Sequence, residues 1–79
     1  MVVVQYFVDE IVQTNGDHEV HAAICVRLPR PSSRRYLGEF TSCFPAVTAA
    51  RKRYTRVNGC YDCADACNTG YAVLSPPLG

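Results

Sequence analysis

The sequence has no tryptophan, one methionine and two histidines in 79 residues. At this length it has no room for a second core, a cofactor-binding α/β sheet or a barrel, which excludes the large catalytic folds. No apolar run approaches the 18 or more residues, roughly, that cross a bilayer. The apolar start, Met1 to Val8, lacks a basic leading region and is broken by Asp9 and Glu10, so it does not read as a secretion signal. These absences predict a soluble, cytoplasmic chain with no membrane partner. Also missing are a G-x-S-x-G elbow, a phosphate-cradling glycine loop and a histidine close in sequence to the thiol cluster, so a non-enzymatic role is expected.

Basic residues are absent from positions 1 to 26, which hold four acids. Positions 27 to 56 carry all eight Lys and Arg residues with only Glu39 against them. That asymmetry is the footprint of a phosphate-binding surface, and Arg51, Lys52, Arg53 and Arg56 are its candidate residues. A solvated basic face explains the same pattern.

What the chain does have is five cysteines. A domain this small gains only a few kcal/mol from its own core, roughly, and is often stapled. An odd count leaves one thiol unpaired in any disulfide scheme, and in a reducing compartment thiols more often hold metals, do redox chemistry or fill cores.

Along the chain, Val2 to Gln13 is rich in β-branched and aromatic residues and reads as a strand. Asn15-Gly16-Asp17 predicts a tight reversal into an antiparallel partner. Val20, Ala22, Ile24, Val26 and Leu28 share one parity, which predicts a second strand continuing to Leu28. Pro29 and Pro31 mark an exposed connection. Arg35 to Phe40 reads as a third strand, with Gly38 at a bulge. Ser42 is placed to cap a helix with Pro45 in its first turn, and Cys43, Val47, Ala50, Tyr54 and Val57 form its buried stripe. Asn58-Gly59 is expected to end that helix and deliver the chain into Cys60. The predicted architecture is α+β: a three-stranded antiparallel sheet, one packed helix and a C-terminal cysteine-bearing segment. Residues 1–70 are read as one domain and 71–79 as a tail.

Cys60, Cys63 and Cys67 form a C-x2-C-x3-C run. A C-x2-C turn presents two thiolates to one ion, as zinc requires, and a short helical turn would bring Cys67 to the same side. Cys25 and His21 are candidates for the remaining ligands. On a continuous strand their α-carbons would lie roughly 13 Å apart, so both reach one ion only if the strand stops or kinks near Ala22 and Ala23. Cys43, in the helix stripe, reads as core packing. The residues thus leave three readings: a zinc-stabilised module that binds a protein partner, a thiol-redox or disulfide-bonded protein using two of Cys25, Cys60, Cys63 and Cys67, and a nucleic-acid binder using the basic helix.

His18-Glu19-Val20-His21, Cys25, Leu28-Pro29, Tyr36-Leu37-Gly38-Glu39-Phe40, Ser42-Cys43, Ala46-Val47 and Asn58-Gly59-Cys60 with Cys63 together resemble a family of small bacterial proteins that carries no assigned activity. The resemblance covers roughly residues 5 to 67. That family has a further cysteine and a histidine where this chain has Ala64 and Asn68. More loosely, the order H-x3-C, strand, helix, C-x2-C is similar to Ada-type small zinc modules. That likeness implies His21, Cys25, Cys60 and Cys63 as the four ligands.

Overall fold

A computed structural model describes residues 2–68, so the expected tail over 71–79 lies outside the described residues. The first strand, β1 (Val4–Asp9), pairs antiparallel with β2 (His18–Ala22), with Tyr6 opposite Ala22 and Val8 opposite Val20. The reversal between them uses Gly16 at φ +93°, a conformation open to glycine at little cost. Next comes β3 (Arg34–Phe40), which pairs antiparallel with the other side of β1. Its register slips opposite Tyr6 and Phe7, which face Gly38 and Tyr36, leaving Leu37 as the extra residue of a bulge at Gly38, φ +128°.

The predicted sheet is corrected from three antiparallel strands to four mixed ones. A fourth strand, β4 (Val57–Gly59), pairs parallel with β2, giving the spatial order β3-β1-β2-β4. The one α-helix among the described residues, α1 (Cys43–Ala50), is correspondingly shorter than its apolar stripe implies. Cys43, Val47 and Ala50 are buried along it. Tyr54 belongs to the turns that follow and stacks on His18 with ring centroids 4.0 Å apart, and Val57 is buried from the sheet edge. Helical spacing therefore ran on through residues whose burial comes from two other elements. Ser42 does occupy the N-cap position, but its side chain makes no capping hydrogen bond.

The core lies between α1 and the sheet, with Val8, Val20, Ala46 and Ala50 fully enclosed. Asn58-Gly59 sits in β4 rather than in a helix cap. What requires glycine at 59 is proximity: a Cβ there would collide with the Ala64 carbonyl oxygen and lie 2.7 Å from Cys67 Cβ. The segment after β4 folds back tightly on that strand. It is tied by Ala64 N–H to Cys60 O (2.9 Å), Cys67 N–H to Ala64 O (2.9 Å) and Asn68 Nδ2 to Gly59 O (2.8 Å).

Candidate metal centre

The second strand stops at Ala22. There Cys25 N–H bonds to Ala22 O at 3.0 Å and Leu28 N–H bonds to Cys25 O at 3.1 Å, so two consecutive turns replace the extended chain expected as far as Leu28. This fold-back removes the separation that a straight strand would impose on His21 and Cys25. Across the parallel seam, Cys60 N–H bonds to Val20 O at 2.9 Å, which holds the start of the C-x2-C turn beside the end of β2. The two turns meet there.

One ligand atom from each of His21, Cys25, Cys60 and Cys63 falls within 4.8 Å of the other three, so this group is positioned to bind a metal ion. Cys25 Sγ and Cys60 Sγ are 3.8 Å apart, and Cys63 Sγ and His21 Nδ1 are 3.9 Å apart. Two sulfurs each about 2.3 Å from a tetrahedral ion are separated by about 3.8 Å, whereas a disulfide holds them near 2.05 Å. The Cys25–Cys60 separation therefore matches two sulfurs shared by one ion and is too long for a disulfide.

The surroundings suit thiolate and imidazole ligands. Backbone amides aim at the sulfurs: Arg27 N–H at Cys25 Sγ (3.4 Å) and Ala22 N–H at Cys63 Sγ (3.3 Å). The backbone amides of Cys63 and Asp62 also favour the Cys60 thiolate. Such donors partly neutralise charge on a thiolate, and they favour it. Burial acts the other way and dominates in the metal-free protein, pushing both the Cys60 and Cys63 thiols up. Both therefore hold their protons at neutral pH until a cation displaces them.

Burial also lowers the His21 pKa, since its ring is only 2% exposed, so the imidazole is neutral. Its Nδ1 faces Cys63, while its Nε2 faces Glu19 Oε1 at 3.6 Å. The carboxylate lies just outside hydrogen-bond distance, and its charge on the Nε2 side favours the proton there, which leaves Nδ1 free to ligate. Glu19 is the residue that the sequence reading passed over. It precedes His21 by two in a strand, and that parity was the available signal.

Cys67, the fifth candidate ligand, is not in this group. Its sulfur is bonded to Cys43 at 2.05 Å, joining α1 to the short turn Asp65–Cys67. This corrects two expectations. Cys43 is buried in the core as its stripe implied, but it also serves as one half of a covalent staple, and the disulfide pairs Cys67, one of the four cysteines considered for one, with Cys43, which was not among them. Cys25, Cys60 and Cys63 are free thiols.

The basic residues form no helix face. Arg51 is the helix C-cap, and Lys52 and Arg53 follow it in an exposed turn. Arg56 is committed to Asp17 (3.0 Å) and to the Asn15 carbonyl (2.8 Å), closing the β1–β2 reversal onto the approach to β4. Among the described residues, no helix is long and apolar enough to cross a membrane.

Comparison with protein families, curated proteins and solved structures gives no match to this chain.

Proposed function

We propose that this chain is a small binding module whose fold is completed by one zinc ion held by His21 Nδ1 and the sulfurs of Cys25, Cys60 and Cys63. The observation that carries the reading is the 3.8 Å separation of the Cys25 and Cys60 sulfurs, with His21 Nδ1 3.9 Å from Cys63 Sγ. Three thiolates and an imidazole are a borderline-soft donor set, the kind that selects zinc among abundant divalent ions. All four positions are filled by protein, which suits a structural ion rather than a catalytic one with an open position. The same four residues are the ones that the likeness to Ada-type modules nominates.

The ion would join the end of β2 to the segment after β4, two places where regular hydrogen bonding has stopped. Its contribution is folding free energy, because no such site exists in the unfolded chain. A thiol-redox role for Cys60 and Cys63 has less support, because burial raises both thiols and a raised thiol is a poor nucleophile.

Substitution with cobalt(II) tests the ligand set. The reading predicts one equivalent bound, with the intense visible absorption of tetrahedral thiolate coordination, displaced stoichiometrically by zinc. Cys60→Ser should abolish that spectrum. Weak absorption of octahedral type, unchanged by Cys60→Ser, would refute it.

A further inference from the structure

A cavity of about 210 Å³ lies between α1 and the turn Asp65–Cys67, lined by Phe44, Val47, Thr48, Arg51, Ala66 and Cys67. No acidic side chain lines it, and Arg51 is exposed. Of the two bridged cysteines only Cys67 belongs to its walls. The sulfurs of the disulfide therefore offer different things to a thiolate. Cys67 is open to attack from the cavity, where the Arg51 guanidinium draws an anion. Cys43 is the first residue of α1, where the helix dipole and the unpaired first-turn amides favour negative charge, so it is the better leaving group.

Cys67 also ends the run that carries two of the metal ligands. Ala64 N–H bonds to Cys60 O and Cys67 N–H to Ala64 O, each at 2.9 Å, so two linked turns connect Cys60 to Cys67. One end of this run is held against β2 by Cys60 N–H to Val20 O and Ala22 N–H to Cys63 Sγ, and the bridge ties the other end to α1. A metal ion and the disulfide would thus order the same stretch of chain, and each reduces the ordering that the other must impose.

We propose that the Cys43–Cys67 bridge is a redox site for small thiol reductants, entered through this cavity, and that its state sets the zinc affinity of the centre containing Cys60 and Cys63. A thiolate attacks Cys67 Sγ, the S–S bond breaks, and Cys43 leaves as a thiolate that takes up a proton. A second thiol then attacks the mixed disulfide and releases Cys67, which is protonated in turn. The bridge gains two electrons and two protons, and the two thiols lose them in becoming one disulfide. The zinc half of the proposal rests on the metal reading above. Coupling of this kind is reciprocal, so zinc stabilises the bridge by the same factor by which the bridge strengthens zinc binding. The expected factor is about tenfold or more, which for a two-electron couple is about 30 mV.

Zinc competition against a calibrated chelator compares the oxidised full chain with the chain reduced by a phosphine, and Cys43→Ser/Cys67→Ser reports the unbridged state independently. Glutathione redox buffers with and without zinc, quenched by alkylation, read the Cys43–Cys67 equilibrium by peptide mass. The oxidised chain should bind zinc at least about tenfold more tightly, with one ion in each state, and zinc should shift the bridge equilibrium by the same factor. Equal affinities, or a tighter reduced chain, would overturn the coupling and leave the zinc site standing. Zinc binding in neither state would remove the site and the coupling together. Arg51→Glu should slow reduction of the bridge by glutathione severalfold, and Lys52→Glu, outside the cavity lining, should slow it less. An Arg51→Glu rate equal to that of the wild type or of Lys52→Glu would show that the thiol does not enter here.

Discussion

Cys60 and Cys63 reach the same point as Cys25 because Cys60 donates its backbone amide to Val20 O, one residue before His21. A three-residue parallel strand thereby brings residues about forty positions apart into one cluster of potential ligands. Each of the following expectations depends on one part of that arrangement.

The disulfide and the thiol cluster are separate chemical units. Alkylation of the denatured, metal-stripped chain without reductant should modify Cys25, Cys60 and Cys63 and leave Cys43 and Cys67 unmodified, giving the mass of the reduced protein plus three adducts less two hydrogens. The bridge spans 24 positions, and its loss should cost about 3 kcal/mol. Denaturation of Cys43→Ser/Cys67→Ser measures this, and the variant should still bind one metal ion. Loss of metal in that variant would mean that Cys67 serves the site.

Gly59 sits where the post-β4 segment closes over the strand. Gly59→Ala forces a methyl group against the Ala64 carbonyl and Cys67, and the overpacking should cost about 1–3 kcal/mol or more, read as a lowered denaturation midpoint. Metal affinity should fall with it, because the displaced turn carries both Cys60 and Cys63. Wild-type stability in this variant would show that the turn is looser than described.

With a metal bound, Glu19 would act through His21 rather than on the ion. Glu19→Gln keeps the side-chain shape and removes the carboxylate facing Nε2, and should weaken metal affinity about 10- to 100-fold, by competition with a calibrated chelator. Stoichiometry and the cobalt spectrum should be unchanged, which separates a positioning residue from a ligand. An unaltered affinity would remove Glu19 from the site.

Much of this arrangement was legible in the residues, and the exceptions have physical causes. The β1–β2 hairpin could be read from Asn15-Gly16-Asp17, and the bulge from Gly38, because both depend on local backbone preference. The parallel strand was hidden inside a helical stripe. Tyr54 and Val57 continue the spacing of Cys43, Val47 and Ala50, yet their partners are His18 and β2, contacts that no local pattern encodes. The end of β2 was misread for a related reason. Ile24 and Val26 continue an alternation of apolar residues, but both are on the surface, and Ala23 is no turn former. The fold-back that brings Cys25 to His21 is held by backbone bonds to Ala22 and Cys25 and by an amide aimed at the Cys25 sulfur. Those partners exist only once the chain has turned. Charge segregation along the sequence suggested a basic helix, whereas Arg56 is spent on Asp17 and the remaining three cations follow the helix end.

Native mass spectrometry of untagged protein, purified without added metal or chelator, tests the central claim most directly. The account predicts one zinc per chain in the wild type, none in Cys60→Ser, and a large fall in melting temperature when a chelator strips the ion. A folded, metal-free wild type whose melting temperature is indifferent to both zinc and chelator would contradict it.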